Sequence, residues 1–292
     1  MPLDMPGSRH YILLLAPPLL AAALAAHASS VPPASFVTAD DGPPPPMPLA
    51  SPITDHLSLS GGFYWGHIQT YGQFDTGKGA PGTPLSAEHD LGLTNEAYQP
   101  RFEIIFRLEQ RSRLRVDFLD VRRNGEDELD RTIQFGDQTF QPNVLLQSTI
   151  DWRQMDITYT YSFLRGERYE LGAGLGLHLL EAEAIAQVPS TPQRVDYSEA
   201  APFATVALDG TYLIGSRWSL NARGQYMHIT VSNLSALLED YRADAQYRWR
   251  RNFALGVSYE YERASVDIRN QDPSGIIRLA FTGPELFVRV SY

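Results

Sequence analysis

Trp218-Ser-Leu-Asn-Ala-Arg-Gly-Gln-Tyr226, Tyr241-Arg-Ala-Asp-Ala-Gln-Tyr-Arg-Trp249 and Phe253-Ala-Leu-Gly-Val-Ser-Tyr-Glu-Tyr261 decide how the chain is read. Each alternates apolar and polar residues with a period of two, so each is a strand with one apolar and one polar face. Each apolar face begins and ends on an aromatic ring, eight positions apart. At roughly 3.4 Å per residue and a tilt near 45°, that spacing climbs about 20 Å. An apolar band of this height, edged by rings, suits the hydrocarbon layer of a thin bilayer. The expected fold is all-β: a transmembrane antiparallel β-barrel.

Composition agrees. The 292 residues are 43% hydrophobic, with a mean hydropathy of −0.25. That is too polar for a bundle of membrane helices and ordinary for a barrel in which alternate residues face lipid. The formal net charge of −10 comes with no basic stripe, which argues against a nucleic-acid partner. Lys78 is the sole lysine, so the cations are almost all Arg, whose planar fork suits a crowded polar interior. There is no Cys, and hence neither a disulfide nor a thiolate metal site. No cofactor is implied.

At the N-terminus, Arg9 and His10 precede an apolar run from Tyr11 to Ala26 broken by Pro17 and Pro18, and Ala26-His27-Ala28 offers a small-x-small cleavage site. Residues 1–28 read as a secretory signal peptide. Residues 29–53, rich in Pro and including Pro43 to Pro46, have too little to bury and are expected to form a flexible segment. Residues 54–292 are the barrel.

The first strand is expected from about Leu57 to Phe74, followed by a polar loop over residues 75–97. Later strands point Phe102, Ile104 and Phe106, then Leu114, Val116 and Phe118, then Met155, Ile157, Tyr159, Tyr161 and Phe163 outward. Tight turns fall near residues 111, 166, 215 and 251, and longer loops fall between them, including an acidic loop from Asn124 with Glu126 to Asp130 and a possible hairpin between Arg131 and Leu146. Four turns and five loops give about ten strands, with eight or twelve as alternatives; both termini lie on the short-turn side. An aromatic girdle is assigned to Phe163, Tyr169, Tyr212, Trp218, Tyr226, Tyr241, Trp249, Phe253, Tyr261 and Tyr292. A secreted soluble barrel or sandwich would alternate in the same way, but its apolar face would be a core with no reason to carry rings at both ends of a fixed span.

The chain resembles Gram-negative outer-membrane β-barrel proteins, and more narrowly one proteobacterial family of them. The features that carry the likeness are Gly82-Thr83 running into Glu88-His89-Asp90-Leu91-Gly92-Leu93, the Asp117-Phe118-Leu119 strand, and Gly172 to His178. The closing strand resembles the signal read by the barrel-assembly machinery: Gly283, Leu286, Val288, Val290 and the terminal aromatic Tyr292, although Phe281 stands where a polar residue is usual. The resemblance implies export, residence in the cell outer membrane as a monomer, and contact with outer-membrane lipids, lipopolysaccharide and the assembly machinery.

Two chemistries are open. Glu103, Arg107, Arg115, Asp117, Asp156, Glu170, Arg223, Arg242, Asp244, Arg248, Glu260, Glu285 and Arg289 lie on the polar faces. They form either a pairing network that plugs the lumen or the walls of a narrow polar channel. The alternative is a hydrolase with a site at the extracellular rim, acting on lipid A, phospholipid or peptide in the manner of the omptin proteases. Its candidates are His89 and Asp90 in the first loop and His178, expected at the outer rim, with His228 near the lipid boundary. The acidic loop lacks the ligand spacing of a calcium site. The expected role is a non-enzymatic barrel that is structural, displays surface loops or forms a narrow channel.

Overall fold

A computed structural model describes residues 10–11, 51–191, 194–269 and 274–292. The residues expected to form the signal peptide and the Pro-rich segment lie outside the described ones, apart from His10 and Tyr11, which pair with Glu199 and Ala200, and Ser51 to Ile53. Ten strands run in sequence order: β1 (Leu57–Phe74), β2 (Glu96–Glu109), β3 (Ser112–Glu128), β4 (Leu145–Arg165), β5 (Tyr169–Gln187), β6 (Arg194–Ile214), β7 (Trp218–Val231), β8 (Leu234–Arg250), β9 (Phe253–Ile268) and β10 (Gly275–Ser291). Every strand pairs antiparallel with its neighbours, and β10 returns to β1, so the lower ring has no sheet edge.

Side-chain parity holds along the strands except at bulges beside the short turns, at Arg107/Glu109, Ser162/Leu164 and Arg248/Arg250, but polarity changes well inside them. On β5, Leu175, Leu177 and Leu179 point out, opposite Gly174, Gly176 and His178; past Leu179 the outward residues become Glu181 and Glu183 and the inward ones Leu180, Ala182 and Ala184. The same inversion follows Tyr261 on β9 (Arg263 out, Ala264 in) and Phe118 on β3 (Asp120 and Arg122 out, Leu119 and Val121 in). Each strand therefore leaves the lipid where its outer ring lies and continues as an ordinary water-exposed strand with an apolar inner face.

In this upper half the barrel divides. Pairing of β2 with β3 stops at Arg101↔Leu119, and pairing of β6 with β7 stops at Val206↔Tyr226, although all four strands go on. Above those points β3–β6 form one sheet, and β7–β10 with β1 and β2 form the other. Leu119, Val121, Trp152, Leu180 and Phe203 of the first pack on Ile68, Ala97, Leu238, Ala264, Leu279 and Phe281 of the second. The Trp152 and Phe281 rings, 6.0 Å apart, span the gap. Phe281 thus belongs to an internal apolar layer.

Further out, a hairpin of Ile133–Phe135 and Gln138–Phe140 and the β1–β2 loop fold over the long sheet, placing Leu85, Ile133 and Phe140 on Leu146 and Val188. Glu88 of this loop accepts the Thr70 amide at 3.0 Å and the Arg123 guanidinium at 2.6 Å. Gly92, at φ +65°, lies so close to β3 that a Cβ on Gly125 would come within 2.6 Å of the loop backbone.

Three expectations change. Asn124 to Glu128 are strand, paired with Leu145 to Thr149, so the acidic loop shortens to residues 129–144. Between β7 and β8 there is no long loop: pairing continues to Val231↔Leu234, leaving Ser232 and Asn233 as a tight turn with Ser232 at φ +51°. The inner faces of Ala236 and Leu238 extend these strands into the apolar layer. Finally, Ser51 to Ile53, expected as the end of the flexible segment, are held to the barrel: Ile53 is buried, and its carbonyl and that of Pro52 accept from Arg165 and Arg107 at the short-turn end.

Candidate functional site

The lumen below the apolar layer is filled by charged side chains that reach across it. Near the short turns, Arg107 grips both oxygens of Glu170 at 2.8 and 2.9 Å, and Ser162 donates to the same carboxylate at 2.6 Å. Arg113 meets Asp209 at 2.6 Å, and Arg248 meets Asp55 at 2.7 Å. Burial holds the Asp55 carboxyl above its ordinary value in spite of Arg248.

At mid-height Glu103 takes Arg223 at 3.1 Å, Arg115 at 3.3 Å and also Arg289. Asp117 takes Arg223 at 2.9 Å and Arg101 at 3.4 Å; Arg101 also binds Glu260, and Arg242 binds Glu285 at 3.0 Å. Asp244 accepts from Asn221 at 2.7 Å and Gln246 at 2.6 Å.

The top of the network is His178 with Asp156. Nδ1 lies 2.7 Å from a carboxylate oxygen, off the line of a good hydrogen bond, and Nε2 is 3.0 Å from the Gln225 amide oxygen. Gln154 donates to Asp156 at 2.9 Å and Glu262 at 3.2 Å, and accepts from the Trp152 indole at 3.2 Å, which ties the polar network to the apolar layer. The glycines of β5 make this possible, since a Cβ at Gly176 would lie 2.2 Å from Gln225 Oε1.

The sequence-derived lumen residues therefore meet in one cluster, joined by Asp55, Arg101, Arg113, Asp209, Asp240 and Glu262. Asp209 and Asp240 were legible from parity with Leu208 and Tyr241. Asp55 was not, because no strand pattern carries it. The girdle residues all point outward: Trp218 is 51% exposed and Tyr226 41%.

The candidate catalytic residues do not converge. His178 is fully buried beneath the apolar layer and not at the rim, because the strand continues well past it to Gln187. His89 is exposed on a one-turn helix, Ala87–Asp90, while Asp90 accepts from the Ser86 amide at 2.7 Å and from Arg131 at 2.8 Å. His228 faces outward and is exposed. Glu126 accepts from Gln147, and Asp127 accepts from the Glu128 amide.

Among solved structures, the outer membrane protease OmpT from Escherichia coli superposes with a TM-score of 0.56 at 12% identity, over 80% of this chain and 97% of that one. This is an outer-membrane-type β-barrel. The Yersinia pestis attachment invasion locus protein Ail (TM-score 0.28, 11% identity, 78% of this chain and 97% of that one) and an outer membrane channel from Pseudomonas putida F1 (0.37, 12%, 85% and 99%) match less well. No family model and no curated protein matches the chain. At these identities the likeness concerns the fold alone.

Proposed function

We propose that the chain is a non-enzymatic, monomeric protein of the Gram-negative outer membrane, exported behind a cleaved signal peptide, whose barrel is a sealed pedestal for its extracellular end. The observation that carries this reading is the closed lumen. The carboxylates and guanidiniums that would line a channel pair with one another across the lumen, and Leu238 and Phe281 lie almost inaccessible above them. The pedestal stands where its two outer surfaces change: rings and aliphatics below, then Arg122, Arg153, Asp120 and Glu181, a mixed-charge belt at the height of lipopolysaccharide headgroups. Gly283 to Val290 on β10, with Tyr292 just beyond its end, supply the aromatic-ended segment for the assembly machinery, and the narrower proteobacterial family rests on the motifs named above. A hydrolytic reading finds no support in the geometry, since His178 is shut inside, and beside the exposed His89 the Ser86 hydroxyl is engaged with the His89 amide and with Glu88.

Purified protein in planar bilayers tests the proposal. Sealed barrels give no stepwise conductance above the bare membrane; a steady ohmic conductance that responds to Glu103→Ala or Arg223→Ala would replace the pedestal with a channel.

A further inference from the structure

The apolar layer is not filled to the top. Between the two upper sheets lies a cavity of ≈ 90 Å³ lined by Trp152, Leu180, Ala201, Phe203, Ala264 and Leu279. A second, also ≈ 90 Å³, shares Trp152, Ala182, Ile277 and Leu279 with it and continues beneath Leu85, Ile133 and Phe140 of the folded-over loops. Small residues keep the space open: Ala182, Ala201 and Ala264 line it. Ser148 lines the second cavity, is 3% exposed, and its hydroxyl has no hydrogen-bond partner. A buried hydroxyl without a partner in apolar surroundings is costly unless something supplies one. No Lys or Arg stands in the described lining, so an anionic head would be buried without a counter-charge.

We infer that the paired cavities between the upper sheets are a binding site for a small neutral amphiphile, with an apolar body of about six carbons and one uncharged hydrogen-bonding group directed at Ser148. Size sets the body: an apolar protein cavity of about 150 Å³ takes a benzene ring, and the two voids are separated only by side chains. Walls of Ala, Leu and Phe supply the affinity by burial, and the hydroxyl orients the ligand. The site lies outside the charged network and is independent of whether the lumen conducts.

Trp152 borders both voids and reports on them. In a Trp65→Phe, Trp218→Phe, Trp249→Phe background, which removes the outward-facing indoles, 6-bromohexan-1-ol is titrated into the folded, detergent-solubilised full-length protein. The expected result is saturable quenching of Trp152. Ala264→Phe fills the first void and abolishes saturation. Ala182→Leu, a milder filling, weakens it and serves if the Phe variant fails the heat-modifiability test for a folded barrel. Ser148→Ala raises the Kd about fivefold, the worth of one neutral hydrogen bond, and 6-bromohexanoate binds more weakly than the alcohol. Quenching that rises linearly, or saturates equally in the filled variants, overturns the site. Saturation indifferent to Ser148→Ala overturns the assigned orientation. Neither result touches the conductance test of the sealed barrel.

Discussion

Glu103→Ala removes the carboxylate on which three guanidiniums converge. Glu103 is 5% exposed, and Arg115, Arg223 and Arg289 are 14%, 6% and 7% exposed at their side chains. Taking one partner from a buried ion pair costs about 3–5 kcal/mol, because a buried charge is left uncompensated. The structure places this case at the lower end. Arg289 keeps Ser60 at 2.7 Å and Arg223 keeps Asp117 at 2.9 Å, whereas Arg115 retains only a 4.0 Å approach to Asp209. The expected loss is therefore about 3 kcal/mol, arising chiefly at Arg115. Glu103→Gln, which keeps an acceptor oxygen, is expected to lose about half of that. Adding Arg115→Met to Glu103→Ala should restore stability from about 3 to within about 1.5 kcal/mol of the parent, since removing both members relieves the stranded charge. Urea unfolding in lipid vesicles, followed by Trp fluorescence and by heat-modified mobility on gels, measures all three. A Glu103→Ala loss below about 1 kcal/mol, or strict additivity of the two single changes, would mean that water enters the lumen and the charges are not sealed.

Phe281→Ala opens the layer between the two upper sheets and should cost about 3–5 kcal/mol, against less than about 1.5 for Phe281→Leu; equal values for the two in the same unfolding assay would place Phe281 outside a packed core. Arg248→Ala releases the Asp55 contact that pins residues 51–55 under the barrel, and limited proteolysis should then cut near Ser51 in the folded protein while the parent resists. Burial raises the Asp55 carboxyl above its ordinary 3.8, so the folded state binds that proton more tightly than the unfolded one. This group's contribution is full below pH 3.8 and falls as pH climbs through the raised value. Asp55→Asn should flatten the pH dependence of Tm over that window, and parallel curves for the two proteins would refute the burial argument.

Strand number and parity were readable because period-two alternation runs along the wall, broken only by bulges beside short turns among the described residues: Trp218 to Tyr226 and Phe253 to Tyr261 fall on β7 and β9 with the aromatic faces outward, as the alternation required. What misled was reading the end of outward apolarity as the end of the strand. Asn124 to Glu128 look like a polar loop, yet their inward positions and the ladder to β4 continue unbroken. The signal was present in Leu119 and Val121 set against Asp120 and Arg122, which is the same alternation with its polarity exchanged. His178 was misplaced for the same reason, since Leu180, Ala182 and Ala184 stack above it. Contacts made across the lumen, such as Arg101 with Glu260, join residues far apart in sequence and leave no local trace.

The exchange of polarity follows from the solvent on the outer face. Where acyl chains surround the barrel, an apolar interior would give the chain no reason to prefer one face inward, because both environments would be equally oily; polar residues that can pair only with one another make the choice unambiguous. Arg107 with Glu170 and Arg223 with Asp117 serve that end at the cost of desolvating charges. Above Tyr226 and Tyr261 the outer face meets water, the hydrophobic effect is again available, and Trp152, Phe203, Leu238 and Phe281 use it. The two halves of one lumen should then respond oppositely to the same kind of change. A hydroxyl in place of an apolar side chain at Leu238 leaves a polar group unpaired in a dry core, whereas an apolar isostere at Thr158 or Thr205, both beside Gln225, removes a partner from a network that has others to offer.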